Sequence, residues 1–366
     1  MLLNGLGELL SREAATARRF VDLFTGSGVV ATYVAWRYPI PVLAFDLQTY
    51  SIVLTEAVLG RRGALRWESV WDRWSDGARA WLIHKRVPTA ARINRRIVDC
   101  FREWCAAQEE APITRAYGGH YFGPKQAIDI DALRVALPMA LPERTVALAA
   151  LIQAASQCAA APGHTAQPFQ PTRTAKPFLE ESWEKDVFER VRLCFGAISG
   201  QFACRRGHAR MGDANQAARK LLDGDLVFID PPYSGVHYSR FYHVLETIAR
   251  GGFVEVSGIG RYPPPNNRPR SSYSLRSESL GAFDDLLQTV AYRGAKAIVT
   301  FPGHVCSNGL SGEIVCDTAR KYFRVREMRV ASRFSTLGGT GNKKNGEVHR
   351  AARQQADELM LVLDPK

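Results

Sequence analysis

The stretch Phe20-Val21-Asp22-Leu23-Phe24-Thr25-Gly26-Ser27-Gly28 decides how this chain folds. Its first five residues are apolar apart from one aspartate, which is the length and composition of a buried strand, and they run into a glycine turn. Residues 29–38 then read as a helix, stopped by Pro39 and Pro41. Residues 42–45 are a second short apolar run, ending at Asp46. Strand, helix and strand in this order make a βαβ unit, which implies a parallel sheet.

Working outward, the same rhythm returns at 208–211, 226–229 and 297–301. Residues 323–330 alternate apolar and charged positions, and 359–363 form a last apolar run. The last two have no full helical pattern between them, so they are expected to pair antiparallel at the end of the sheet. Residues 61–200 differ in character. Trp67, Trp71, Trp74 and Trp81 recur at helical spacing, and 133–158 is alanine-rich and helical, broken by Pro138 and Pro142. Loops fall at 118–125 and 162–177. The expected organisation is an α/β domain from 1–60 and 201–366, interrupted by a largely helical insertion at 61–200.

Composition narrows the function. Of 366 residues, 46% are hydrophobic and 23% charged, which suits a globular protein and excludes wholesale disorder. No run of about 20 uncharged apolar residues occurs, so no membrane span is expected. Residues 1–10 are apolar but lack a basic region and are followed by Arg12 and Glu13, so no signal peptide is read. Seven cysteines without a C-x-x-C pair argue against a disulfide framework or structural zinc and fit a reducing cytoplasm. Lysine and arginine number 48 against 36 acids, a net charge of +12 dominated by arginine, which points to a polyanionic partner.

Two places carry chemistry. The glycines of the first turn let a ligand approach the backbone, and the helix that follows favours polar or negative groups at its N-terminus. Asp46, 18 residues beyond Gly28, can accept hydrogen bonds from the ribose hydroxyls of an adenosine ligand. The run G-S-G-V-V-A matches neither the dinucleotide fingerprint nor a phosphate loop. The second place is Asp230-Pro231-Pro232-Tyr233, at the end of the strand LVFI. The Asp230 carboxylate and the Pro231 carbonyl can hold both protons of an exocyclic amine. The prolines stiffen the turn and remove competing N–H donors, and Tyr233 offers a face for stacking an extruded base.

Around these lie candidate nucleic-acid contacts. His237, Tyr238 and Arg240 interleave ring and charge after Tyr233. The stretch 261–276 has four arginines, Arg268 and Arg270 among them, and no acid. It reads as a surface loop facing phosphate. Residues 320–353 hold ten basic side chains against two acids, with Lys343 and Lys344 in a glycine-rich loop. In the insertion, Arg92, Arg95 and Arg96 fall on adjacent faces of one expected helix, and Arg115, Tyr117, His120 and Tyr121 crowd a loop. His237 and His243 lack metal-ligand partners in the sequence, so no metal is expected.

The order D-x-F-x-G-x-G, acidic residue, insertion, D-P-P-Y resembles the class I S-adenosylmethionine-dependent DNA amino-methyltransferases, and within them the Dam-like adenine-N6 group. The resemblance covers nearly the whole chain. It implies a Rossmann-like fold with a mostly parallel seven-stranded sheet whose last strand is antiparallel, and a helical target-recognition insertion. It implies S-adenosylmethionine as cofactor, held by Asp22, by Phe24, Gly26 and Gly28 at the methionine end, by Asp46 at the ribose and by Asp213 near the adenine. It implies double-stranded DNA as partner, site-specific methylation of a flipped adenine as activity, and a cytoplasmic monomer or homodimer. Met1–Gly7 lacks the lysine of the family's K-W-x-G-G-K opening, so no residue there is assigned to the cofactor. No Pro-Cys dipeptide occurs, which excludes cytosine-C5 chemistry. The alternatives are an RNA adenine-N6 methyltransferase and a catalytically dead DNA-binding relative.

Overall fold

A computed structural model describes residues 5–335 and 353–366; Lys343 and Lys344 lie outside the described residues. A short helix, α1 (Gly7–Ala14), precedes β1 (Arg19–Asp22). The glycine turn leads into α2 (Val29–Arg37), β2 (Val42–Asp46) and α3 (Thr49–Leu59), which is the expected βαβ unit. Seven helices follow: α4 (Glu68–Leu82), α5 (Arg95–Ala106), α6 (Pro112–Tyr117), α7 (Pro124–Val135), α8 (Glu143–Cys158), α9 (Lys176–Trp183) and α10 (Val187–Ser199). The sheet resumes with β3 (His208–Met211), α11 (Ala214–Ala218) and β4 (Asp225–Ile229). It ends with α12 (His243–Arg250), α13 (Ser279–Tyr292), β5 (Lys296–Pro302), α14 (Gly312–Tyr322), β6 (Phe323–Ser335) and β7 (Arg353–Pro365).

The seven strands lie in the order β3-β2-β1-β4-β5-β7-β6. The first five are parallel, and β7 runs antiparallel between β5 and β6. The rule that strand side chains alternate between faces is obeyed throughout the centre. Phe20, Leu226, Phe228 and Ile298 pack toward α1 and α2, while Val21, Val227, Ile229, Ala297 and Val299 pack toward α11, α13 and α14. Both faces are thus covered by helices, as a parallel sheet requires. The Arg19 guanidinium grips the nearly buried Asp225 carboxylate with both Nε and Nη2, pinning the entry of β1 to that of β4.

The helices between α3 and β3 share one apolar cluster with the sheet domain. Trp71 and Trp74 of α4, Phe195 of α10 and the alanine-rich α8 pack with Tyr50 and Ala57 of α3 and with Val244, Leu245 and Ile248 of α12. The Trp74 indole N–H donates to the Leu133 carbonyl at 2.8 Å. The helical region is therefore welded to one end of the sheet, on the side where α3 and α12 carry residues of the cleft described next.

Candidate active site

The chain leaves β1 toward β2 on one side, and β4 adds on the other. Such a reversal opens a crevice at the carboxyl ends of the two central strands. Here it is a cleft of about 1090 Å³, walled by the turn after β1, the ends of β2 and β4, and residues of the 237–245 and 269–273 segments. That volume lies at the upper end of small-molecule sites, with room for more than one ligand.

The glycine turn is built around the Asp46 carboxylate. Its Oδ2 accepts the Gly26 N–H at 2.8 Å and its Oδ1 accepts the Gln48 N–H at 2.9 Å. The Thr25 N–H donates to the Phe45 carbonyl at 3.0 Å, tying the turn to the end of β2. Gly26 and Gly28 both have positive φ, +55° and +79°. They differ in what they face. A Cβ at Gly26 would meet nothing closer than 3.9 Å, and the residue lines the cleft. A Cβ at Gly28 would stand 2.5 Å from Thr55 Oγ1, and Gly28 is not part of the cleft wall. The expectation that Gly28 lines the cofactor site is corrected: it lets the start of α2 approach α3.

Asp22, at the end of β1, is almost wholly buried, and its Oδ1 accepts the Phe24 N–H at 3.2 Å. Phe24 lines the cleft, its ring set against that of Tyr273. Asp213 caps α11 by accepting the Gln216 N–H at 3.1 Å and also lines the cleft.

Asp230, Pro231, Pro232 and Tyr233 leave β4 on the other side of the same cleft. The Thr300 hydroxyl of β5 donates to Asp230 Oδ1 at 2.9 Å and fixes the carboxylate's orientation. The Asn308 amide, fully buried, donates to the Pro232 carbonyl at 2.9 Å and to the Tyr273 carbonyl at 3.0 Å. It therefore holds the turn and the 269–273 segment as one unit. Tyr233 is 43% exposed, with the Tyr238 ring edge-on at 6.3 Å, so a stacking face remains open.

Asp22, Asp46, Asp213 and Asp230 thus share one cleft, and burial dominates the titration of Asp22, Asp46 and Asp230. Burial pushes the Asp22 carboxyl up to about 8, with the nearby charges of Asp230 and Asp46 adding to the rise. Burial pushes Asp230 up to about 7, against the lowering effect of the Thr300 hydroxyl. Asp46 is raised by burial as well, although two backbone N–H donors oppose it. Such a cleft favours a cationic ligand, which would restore the ionised forms.

The sequence model of the "D12 class N6 adenine-specific DNA methyltransferase" family matches residues 1–76 and 202–299, which hold the glycine turn, Asp46 and Asp230–Tyr233. Over these two segments, just under half of the chain, it is similar to this D12 class. It is 24% identical over 300 residues, 80% of its own length, to "Modification methylase LlaI" of Lactococcus lactis subsp. lactis. It is 31% identical over 112 residues to "Type II methyltransferase M.FokI" of Planomicrobium okeanokoites, and 35% identical over 119 residues to "Modification methylase StsI" of Streptococcus sanguinis. These matches cover 30% and 32% of the chain. The chain spans 43% of the length of the first relative, 16% of the second and 18% of the third.

In this chain the expected nucleic-acid contacts divide. Arg92, Arg95 and Arg96 are exposed, but Arg92 precedes the helix that Asn94 caps, so only Arg95 and Arg96 lie on α5. Arg115 is exposed, stacked at 5.9 Å on Phe253. Tyr117 and Tyr121 are corrected: both are fully buried where the helical region meets α12. The Tyr117 hydroxyl pairs with Thr247 Oγ1 at 2.8 Å, and the Tyr121 hydroxyl donates to the Thr165 and Gly260 carbonyls. His120 is half-buried, and desolvation with Arg102 and Arg261 nearby pushes it down to about 3, so it offers no charge to phosphate. His237 and Tyr238 line the cleft. Arg270 is exposed and paired with Glu278, while Arg240 and Arg268 stack on Tyr262.

The stretch 261–276 is not simply a surface loop. Pro269, Ser271 and Tyr273 turn inward and line the cleft. Tyr273 is 2% exposed, and its hydroxyl donates to Asn215 Oδ1 at 2.6 Å. Its arginine-rich surroundings concealed it in the sequence. Thr300 and Asn308 carry no pattern that marks them, because their roles come from strand pairing and from a loop returning across the cleft.

Proposed function

We propose that the chain transfers a methyl group from S-adenosylmethionine to N6 of an adenine taken out of duplex DNA at a specific sequence. The observation that carries this reading is that the glycine turn from Asp22 and the turn Asp230–Tyr233 open into one cleft. One side can hold a cofactor while the other holds a base.

The residues fit the cofactor. Asp22, Asp46 and Asp230 make the cleft acidic, which suits a ligand bearing a sulfonium and an ammonium. Gln48 Oε1 is buried in its wall with no hydrogen-bond partner among the described residues, and it can accept a hydrogen bond from the ligand. S-adenosylmethionine, when bound, supplies an electrophilic methyl group. The carboxylates of Asp46 and Asp213 keep lone pairs beyond the backbone N–H groups they already accept, and these can take the ribose and the adenine end respectively. Asp230, oriented by Thr300, would accept a hydrogen bond from one N6–H and the Pro231 carbonyl would accept one from the other, and the amine sheds a single proton as it gains the methyl group. Electron density is then held on nitrogen, facing the methyl group. Tyr233 stacks on the extruded ring, contributing about 1–3 kcal/mol.

The helical region is the natural reader of sequence, because the strands and turns of the sheet domain are committed to cofactor and target base. Residues 77–201 fall outside the family match, and they carry exposed arginines next to the cleft-bearing end of the sheet. Sequencing of DNA from cells that express the chain, with detection of modified bases, tests the reading. N6-methyladenine at a single motif is expected; methyl groups on cytosine, or label in RNA with none in DNA, would overturn it.

A further inference from the structure

We propose that Arg240 and Arg268, stacked on the ring of Tyr262 beside the cleft, form a clamp for a phosphodiester of the DNA strand next to the extruded adenosine. This rests on the DNA-methylation reading above. The Arg240 guanidinium lies 4.4 Å from the Tyr262 ring centroid and that of Arg268 5.8 Å. Neither side chain makes a hydrogen bond or an ion pair among the described residues, and the Nε atoms of both are buried without an acceptor. Their neighbours are provided for. Arg250 pairs with Glu246, Arg270 with Glu278, and Arg261 donates to the Ala116 carbonyl at 2.8 Å. Two guanidiniums sharing one ring repel each other, so the stack lacks an anion.

Position selects which anion. Arg240 follows Ser239 and Arg268 precedes Pro269, and both of those residues line the cleft that holds Asp230 and Tyr233. Ser239, Pro269 and Arg268 also line an adjoining recess of about 150 Å³, below the ~300 Å³ at which ordinary small-molecule sites begin. It admits a phosphate group, not a nucleoside. Ser239 Oγ is buried at this junction without a partner and can donate to a phosphate oxygen. The other titratable groups here do not compete. Glu246 is held by Arg250 and the Tyr50 N–H, and burial keeps His243 neutral. A guanidinium fork matches two phosphate oxygens at once. An enzyme that rotates a nucleotide out of the stack must hold its backbone while doing so.

The test uses a duplex bearing the methylation site mapped as above, with each phosphate flanking the target adenine replaced in turn by a neutral methylphosphonate. The wild-type protein is expected to lose at least tenfold in affinity at one of these positions. The R240Q/R268Q variant should lose less than twofold there, and its affinity should fall less steeply with salt, by about one unit of slope per lost contact. A second pair, R240K/R268K, keeps the charge without the fork and should fall between the two. Cofactor affinity, read by calorimetry, should stay within twofold in both. Equal methylphosphonate losses in wild type and variants at every flanking position would overturn the clamp. So would a parallel loss of cofactor affinity, which would mean that the stack only supports the cleft. Failure of the methylation reading itself appears earlier, as the absence of any methylated adenine to build the duplex around.

Discussion

The ring of Tyr273 stands edge-on to that of Phe24, centroids 4.9 Å apart at 82°, and this pair joins the turn after β1 to a segment some 250 residues later. It forms one wall of the proposed cofactor half of the cleft. Tyr273→Phe keeps the ring and loses only the bonds of the hydroxyl to Asn215 Oδ1 and the Ala282 carbonyl, a cost of about 1 kcal/mol in stability. Tyr273→Ala removes the wall, at about 3–5 kcal/mol. Calorimetric titration with S-adenosylmethionine should show near-native affinity for the phenylalanine variant and at least a tenfold loss for the alanine variant.

Gly26 and Gly28 should separate binding from stability. Gly28→Ala meets both a φ of +79° and the Thr55 side chain at 2.5 Å. Gly26→Ala meets only a φ of +55°. A left-handed alanine costs about 1–2 kcal/mol by itself. Thermal unfolding should therefore show Gly28→Ala as the less stable variant. Cofactor titration should show the larger affinity loss for Gly26→Ala, whose new methyl group points toward the cleft.

The cleft carboxylates make stability depend on pH. In the unfolded chain Asp22 and Asp230 ionise near 3.8; in the fold they are raised to about 8 and about 7. Between these limits the folded state holds more protons, so its stability falls as pH rises. The melting temperature of the ligand-free protein should drop between pH ~4 and 8, and Asp230→Asn should flatten that drop. Cofactor binding near pH 7 should release protons, which calorimetry in two buffers of different ionisation enthalpy would detect.

Arg92, ahead of α5, and Arg95 and Arg96 in its first turn are exposed and are the expected sequence readers. An arginine that reads guanine bidentately contributes about 1–3 kcal/mol of discrimination at one base pair. Alanine at these three positions should relax the methylated motif at a defined position when cellular DNA is sequenced. An unchanged motif with uniformly weaker binding would assign them to phosphate instead.

What was legible in the sequence was what is local. A strand that ends in glycines and a strand that ends in Asp-Pro-Pro-Tyr announce themselves through period and turn chemistry, and together they fix the sheet and the two halves of the cleft. Packing was not legible. Tyr117 and Tyr121 resemble a nucleic-acid surface because they sit beside Arg115 and His120, yet their rings fill the junction between the helical region and α12. Gly28 looks like a ligand-facing glycine until Thr55 is placed against it. Tyr273, Thr300 and Asn308 act through chain segments that meet only in the fold.

The role of Asp230 in holding the amine that receives the methyl group carries the proposed reaction. It is tested most directly by incubating wild-type and Asp230→Asn protein with tritiated S-adenosylmethionine and unmethylated duplex DNA, then separating the nucleosides. Label is expected in N6-methyl-2′-deoxyadenosine alone for the wild type, at less than a tenth of that rate for the variant, with cofactor affinity within threefold. Asparagine turns one carboxylate oxygen into a donor and removes the charge that polarises the amine. Label in N4-methylcytosine, or a variant that keeps more than a tenth of the wild-type rate, would contradict it.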